Sequence, residues 1–261
     1  QFLDRRCVND VEDHAGLGQD RTAGALLLFG DDGEPETVAS NLARIEQLCL
    51  AEGATGTTVA ADVAAADALL EARRCSLPAL ARLAPVTILE DVSVPRPRLA
   101  ELVSRIEEIA DRHRIIMATF GHAGDGNLHP TACVDPADGD AAERAHHAFA
   151  EVFQAATALG GTITGEHGVG AAKLAYLAEH LGPDQMALLR RVKAVFDPAD
   201  VLNPGVLVRP ARLDDDVRMA AAPVVLVVVP ILPGSGGLRL EAIERALLVL
   251  LCRRLPRVIR R

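Results

Sequence analysis

Two histidines stand seven residues apart in the glycine-rich stretch GHAGDGNLHP, which runs from Gly121 to Pro130. Neutral imidazole is the commonest metal ligand in proteins, and glycines let a backbone turn tightly and approach a ligand closely. His122 and His129 could therefore converge on one metal ion. The alternative is that both are polar side chains of a surface loop, and this stretch alone does not decide between the two.

A second glycine-rich stretch, GGTITGEHGVG, places Glu166 next to His167. Two histidines and one carboxylate leave coordination positions open, which is typical of a catalytic rather than a structural metal. Glu166 could join the histidines on one ion and leave His167 free to act as a base. Two alternatives stay open. One is the glycine-rich start of a helix with both side chains in solvent; the other is a phosphate loop, although the Gly-Lys-Ser/Thr end of a Walker A motif is missing.

Two further features could bind a ligand. The adjacent arginines Arg73 and Arg74 could hold a carboxylate through a bidentate pair, although two arginines on a helix are more often simply solvated. Asn203 stands in an Asn-Pro-Gly turn after FDPADVL and could present its amide to a ligand, although most such turns are structural.

The apolar patterns predict the elements that must position these residues. Short or alternating apolar runs predict strands, and apolar residues at helical spacing between Gly and Pro predict helices. Two successive strand–helix–strand units favour an α+β fold, a ferredoxin-like antiparallel sheet with helices on one face, followed by a mainly helical C-terminal segment. The predicted strands are 25–29, 55–60, 86–89, 115–120 and 131–134, with the first histidine stretch as a loop; the predicted helices are 35–52, 99–109, 140–159, 171–181 and 184–195.

Composition divides the chain into three segments. We predict a ferredoxin-like domain over 1–135 and a helical segment over 136–208. In residues 209–261, ten arginines outnumber five acidic residues and a Val- and Pro-rich run precedes PGSGG. We interpret this tail as atypical, either frameshifted or disordered. Because the first residue is Gln1 rather than Met, we expect a fragment or a mature product.

Charge and cysteine content limit the function classes. The formal net charge is −9, which argues against nucleic acid as a ligand. Five scattered cysteines without CxxC spacing indicate a reduced, cytoplasmic protein, and no signal peptide opens the sequence. The apolar run 219–232 contains two prolines and is shorter than the ~20 residues that a membrane span needs.

The motifs GHAGDGNLHP, GGTITGEHGVG and FDPADVLNPG resemble, in order and spacing, the C-terminal half of FAD-linked 2-hydroxyacid dehydrogenases and oxidases. These enzymes belong to the vanillyl-alcohol oxidase/p-cresol methylhydroxylase superfamily. The resemblance covers roughly residues 1–208 and is strongest to the glycolate oxidase flavoprotein subunit and D-lactate dehydrogenase group. FLDRR near residue 2 and ARRCSLPAL near residue 72 also look like the cap domain of that family.

The resemblance implies a role for each candidate residue. The metal ligands would be His122, His129 and Glu166, holding a divalent ion, zinc or similar. His167 would be the catalytic base, and Arg73, or less favourably Arg74, would bind the substrate carboxylate. Asn203 and Gly168 would lie near the flavin.

The implied function is the cap, or substrate, domain of an enzyme that oxidises a small 2-hydroxy acid and passes hydride to FAD. The FAD would be held mainly by a domain absent from this chain and supplied upstream or by another chain, so the chain would be inactive alone. The resemblance also implies an iron–sulfur electron-transfer subunit as a partner, and a cytoplasmic protein that lies peripherally at the membrane through partner subunits. Leu89 stands where D-2-hydroxyglutarate dehydrogenases have Lys, which argues against that dicarboxylate, and Val206 replaces a Lys common after the NPG turn.

Two other function classes stay open. One is a metal-dependent hydrolase that uses His122, His129 and Glu166 without any flavin. The other is an inactive fragment that lacks its FAD-binding domain. Binding of a metal ion by the chain would favour the hydrolase, and failure to bind one would favour the inactive fragment.

Overall fold

An antiparallel sheet lies at the centre of the computed structural model, which describes residues 1–208. Its six strands have the order β2-β1-β5-β6-β3, with β4 also paired to β6. The predicted α+β class with an antiparallel sheet is confirmed. The strands are β1 (Phe2–Asp4), β2 (Ala25–Leu27), β3 (Val86–Leu89), β4 (Val92–Ser93), β5 (Ile116–His122) and β6 (Asn127–Val134); the helices are α1 (Arg5–Ala15), α2 (Pro35–Ala51), α3 (Val63–Arg74), α4 (Ser76–Leu80), α5 (Leu99–His113), α6 (Ala141–Ala158) and α7 (Leu174–Phe196).

Helices cover both faces of the sheet, not the one face that was expected. Successive residues of a strand point to opposite faces, and in β5 both Met117 and Ala118 are buried. Met117 belongs to a core cluster with residues of α5 and α6, whereas Ala118 belongs to a second cluster with residues of α1 and α4. The central strands are therefore buried on both sides, a pattern that short runs in the sequence do not distinguish from one-sided burial.

The strand predictions differ from the structure at several points, and the two-residue strand β4 was not predicted. Residues 55–60 form no strand and are mostly exposed, because no partner strand lies beside them. The expected buried strand at 25–29 is the three-residue edge strand β2, in which Leu27 is 48% exposed. The sequence analysis missed β1, although it lies inside the sheet and pairs with both β2 and β5.

All five predicted helices are present in the structure, whereas α1, α3 and α4 were not predicted. α2, α5 and α6 occupy the predicted positions, and α7 contains the two predicted C-terminal helices. These two join across Gly182, whose φ of 74° lies in the left-handed region and breaks the helical path. Within the part of the chain that the structure describes, no residue of α2 is buried.

The larger core cluster draws residues from both predicted segments, 1–135 and 136–208. It joins Leu102 and Ile106 of α5 to Phe149 and Val152 of α6. The boundary at 135/136 stays a prediction. The interpretation of 209–261 lies outside the described residues. Within residues 1–208, we find no helix whose length and apolar character would suit a membrane crossing.

Candidate metal centre

The stretch from Gly121 to Pro130, which was predicted as a loop, is mostly β-strand, and this corrects the expected positions of its two histidines. Gly121 and His122 end β5, and β6 begins at Asn127, so only 123–126 form the turn. Phe120 lies opposite His129 and His122 opposite Asn127. Because residues two apart in a strand share a face, His122 and His129 are diagonal neighbours on one face, with ring centroids 5.2 Å apart.

Glu166 completes a group of three potential ligands. Its Oε1 lies 3.2 Å from Nε2 of His122 and 3.1 Å from Nε2 of His129. Zn²⁺ bonds of roughly 2.0–2.1 Å place neighbouring ligand atoms of a tetrahedron about 3.3 Å apart. The two separations that involve Glu166 are close to that value, and the ligand atoms of all three residues lie within 4.8 Å of one another, so the group could hold one metal ion.

The environment of His129 favours the neutral imidazole that a metal requires. Its side chain is 3% exposed, and its Nδ1 is buried without a hydrogen-bond partner. Burial, followed by the neighbouring His167, lowers the pKa of His129 to about 4. At neutral pH the imidazole is therefore uncharged, and one of its two ring nitrogens has a lone pair free to bind a metal ion. The donor set, its spacing and this protonation state together fit a divalent ion.

His167 lies beside the three ligands without joining them. Its ring stacks on that of His129 with centroids 4.9 Å apart and planes 3° apart. Its Nε2 is 3.9 Å from Oε1 of Glu166, and its side chain is 41% exposed. An imidazole that is open to solvent and next to three potential metal ligands can accept a proton from a molecule bound at that site.

The structure separates the two adjacent arginines. The guanidinium of Arg73 lies 4.5 Å from the ring centroid of Phe120, and Phe120 in turn lies 5.6 Å from the ring of His129. Arg74 instead forms an exposed ion pair with Asp67. Only Arg73 is on the histidine-bearing face of the sheet, where cation–π contact holds it in a half-buried position.

The two residues predicted to lie near a flavin are both exposed. Gly168 follows His167 directly and has a φ of 79°. Asn203 has a φ of 48°, and its carbonyl accepts a hydrogen bond from the N–H of Val206. Neither takes part in the contacts described among the three potential metal ligands.

Sequence analysis missed two buried residues that support the Glu166 segment, Asp91 and Lys173. Asp91 is 0% exposed and accepts the backbone N–H groups of Gly165, Glu166 and His167 at 2.6, 2.7 and 3.0 Å. Lys173 forms an ion pair with Asp91. The only signal in the sequence was an acidic pair directly after a predicted strand. Because these N–H groups bind an internal carboxylate, they are not available as the donors that a phosphate loop would need.

Gly165 is required by a close approach of two segments. A Cβ at this position would overlap the side chain of Asn127 in β6 and would lie 2.5 Å from Oγ of Ser93. Antiparallel bridging between Ser93 and Thr162 brings the segment to the edge of β4. A side chain at 165 would therefore force Asn127 and Ser93 to shift.

Comparison with known proteins gives a consistent picture. The family model described as FAD linked oxidases, C-terminal domain, matches residues 1–207. The chain is 47% identical over 205 residues to the glycolate oxidase subunit GlcD of Bacillus subtilis (strain 168), a match that covers 78% of this chain and 44% of that protein. It is 30% identical over 205 residues to the glycolate oxidase subunit GlcD of Escherichia coli (strain K12), covering 78% and 41%. It is 34% identical over 213 residues to the D-lactate dehydrogenase of Archaeoglobus fulgidus, covering 80% and 45%.

The chain therefore corresponds to less than half the length of each of these three relatives.

Proposed function

The chain belongs to the family of FAD linked oxidase C-terminal domains, and on that premise we propose that it is the substrate-binding part of an FAD-dependent enzyme that oxidises a small 2-hydroxy acid. The relatives carry the names glycolate oxidase subunit and D-lactate dehydrogenase, which supports glycolate or D-lactate as the type of substrate. The observation that carries the proposal is the group His122, His129 and Glu166 with His167 stacked beside it.

In this proposal, His122, His129 and Glu166 hold a divalent ion such as Zn²⁺. The bound ion supplies Lewis acidity, which makes a nearby hydroxyl easier to deprotonate. His167 accepts the hydroxyl proton, since its imidazole is next to the ligand group and partly open to solvent. A bound FAD, held mainly outside residues 1–208, would supply the hydride acceptor.

Arg73 binds the carboxylate of the substrate. Its guanidinium is on the same sheet face as His129, and its planar donors match a carboxylate in a way that the point charge of a lysine does not. Arg74 is paired with Asp67 at the surface, and we assign it no part in substrate binding.

We further propose that the working enzyme contains other subunits. The two GlcD relatives are each named as a subunit of glycolate oxidase, which supports an assembly of several subunits. As the partner we propose an electron-transfer subunit of the iron–sulfur type. The flavin domain comes from upstream sequence or from another chain. We place the assembly in the cytoplasm, peripheral to the membrane through its partners.

Zinc binding by the full chain tests the metal part of the proposal. Isothermal titration of the metal-free protein should show one Zn²⁺ ion, and His122→Ala or Glu166→Gln should weaken binding by at least the roughly 10–100-fold that loss of an outer-shell partner costs. The exposed His147 provides the control, because His147→Ala should bind Zn²⁺ like the wild type. A chain that binds no Zn²⁺, or binds it equally well after both substitutions, has no such centre.

Substrate binding tests the assignment of Arg73. Arg73→Met should weaken binding of D-lactate or glycolate to the zinc-loaded chain by about tenfold or more, the effect of a lost charge-assisted pair. Arg74→Met should change it less than about twofold. Equal effects of the two substitutions would remove Arg73 from the site.

The chain alone should oxidise no hydroxy acid when FAD and an artificial electron acceptor are added. Tight FAD binding with turnover would contradict the division of labour proposed above. Hydrolysis of an ester or amide that disappears in His122→Ala would instead support the metal-dependent hydrolase, which uses the same three ligands. A chain without metal binding or hydrolysis corresponds to the inactive fragment.

A further inference from the structure

Asp91 is a fully buried carboxylate in the short connection between β3 and β4. Its Oδ2 accepts the backbone N–H groups of three consecutive residues, 165, 166 and 167. The hydroxyl of Thr164 also donates to the same carboxylate, at 3.1 Å from Oδ1 and 3.3 Å from Oδ2. One side chain thus binds four successive residues of the segment that carries Glu166 and His167.

Lys173 balances the charge of this buried carboxylate. It is 2% exposed, and its Nζ donates to both the backbone carbonyl and Oδ1 of Asp91. Nζ also lies 3.2 Å from Oε2 of Glu90. Although burial opposes ionisation of Asp91, the hydrogen bonds from Lys173 and the backbone hold its pKa well below the usual range. The carboxylate is therefore an ion, and an ionised acceptor forms stronger hydrogen bonds than a neutral one.

The segment held by Asp91 has no regular secondary structure. Residues 164–168 belong to no helix or strand, and the side chain of Glu166 is 51% exposed. The histidines, in contrast, are held by the seven paired positions of the β5–β6 ladder. Of the three potential ligands, Glu166 is the one whose position depends on an irregular segment.

We propose that Asp91 is a positioning residue, which holds the backbone of 164–167 so that the Glu166 carboxylate reaches both histidines and the His167 ring stacks on His129. This inference rests on the proposed metal function and deepens it. Asp91 is not one of the proposed ligands; it acts through the three backbone N–H groups that it accepts and through the hydroxyl of Thr164. The consequence is that metal affinity depends on a residue about seventy-five positions away from Glu166 in the chain.

The substitutions D91N and K173M separate positioning from general stability. Both break the same buried ion pair, but K173M keeps the carboxylate that accepts the three N–H groups. D91N should raise the Kd for Zn²⁺ by about 10–100-fold, whereas K173M should raise it less than about threefold. Calorimetry uses the full chain at a temperature at which circular dichroism shows each variant to be folded. If D91N does not fold because it strands the ammonium of Lys173, the double variant D91N/K173M, which removes both charges, takes its place.

Amide hydrogen exchange of the metal-free chain gives a second readout that does not depend on zinc. In D91N the amides of 165–167 should exchange at least about tenfold faster, while those of the β5–β6 hairpin keep their wild-type rates. Unchanged exchange at 165–167 and an unchanged Kd in D91N would overturn the proposal. So would a loss of zinc affinity in K173M equal to that in D91N, since it would assign the effect to stability. If the wild type binds no Zn²⁺, the metal function fails, while the exchange rates still decide whether Asp91 anchors the segment.

Discussion

The buried carboxylate of Asp4 gives the chain a pH-dependent stability of unusual sign. Its Oδ1 accepts the N–H of Cys7 at 2.7 Å and its Oδ2 accepts the N–H of Thr119 at 2.6 Å. It thereby links the first turn of α1 to β5, the strand that carries His122. Asp4 is 2% exposed, and burial raises its pKa to about 7 in spite of these two hydrogen bonds.

The size of the effect follows from the shift of this pKa. The side chain titrates near 3.8 in an unfolded chain and near 7 in the folded one. Between these values the folded state holds a proton that the unfolded state has lost, so the free energy of unfolding must fall as the pH rises. A shift of about three units corresponds to about 4 kcal/mol, present in full below pH ~4 and lost by pH ~7. The substitution Asp4→Asn removes this pH dependence of the free energy of unfolding, because an amide does not titrate.

Urea unfolding of wild type and Asp4→Asn between about pH 4 and pH 8, with a chelator present, measures the effect. The stability advantage of the wild type should shrink as the pH rises. His129, with its lowered pKa, contributes in the opposite sense, but it is present in both proteins and cancels in the difference. Asp111→Asn, at an exposed position, should differ from wild type by less than about 0.5 kcal/mol throughout. A difference between wild type and Asp4→Asn that is constant, or that grows with pH, would refute the reasoning.

Three other substitutions or reactions have defined outcomes. Gly165→Ala should lower the free energy of unfolding in urea by about 1–3 kcal/mol and weaken zinc binding, because a Cβ at this position would overlap neighbouring side chains. Gly124 lies in open space, so Gly124→Ala should change neither quantity. Equal effects of the two substitutions would contradict the close approach at Gly165. Leu128→Ala, at a 0% exposed position, should cost about 2–5 kcal/mol, and a loss below about 1 kcal/mol would be inconsistent with a packed core. Burial raises the pKa of the Cys7 thiol to about 12, so iodoacetamide should leave Cys7 unmodified in the folded chain and should modify the partly exposed Cys49. Mass spectrometry measures both reactions. Similar labelling of the two cysteines would show that Cys7 is accessible.

The elements that sequence analysis predicted well are those with a long periodic pattern. In α5, Leu102, Ile106 and Ile109 recur at helical spacing and all three are buried, so the pattern contains the information about its own packing. β1 has only three residues, and its place in the sheet depends on β2 and β5, which are distant in sequence. Residues 55–60 alternate like a strand, yet a strand also needs a free sheet edge, and that requirement is absent from the local sequence.

The candidate site divides in the same way. The chemistry of His122, His129 and Glu166 is visible in the residue types, and the structure brings the three side chains together. Their assigned roles stay predictions. Asp91 and Lys173 were missed because their contact joins residues 82 positions apart and neither stands in a motif of its own. The resemblance already favoured Arg73 over Arg74, and the structure adds a geometric difference, since the Arg73 guanidinium lies over the Phe120 ring whereas Arg74 pairs with Asp67.

The three potential ligands lie on opposite sides of the connection between β6 and α6. His122 and His129 precede it, and Glu166 follows it. If the chain were cut in this connection, each piece would carry an incomplete ligand set, while the apolar contacts between α5 and α6 would favour reassembly. Zinc binding by a mixture of the two pieces would then report that they had recombined, in the manner of a split-protein reporter. The proposed metal centre would thus serve as a measure of whether the two parts of the chain are docked.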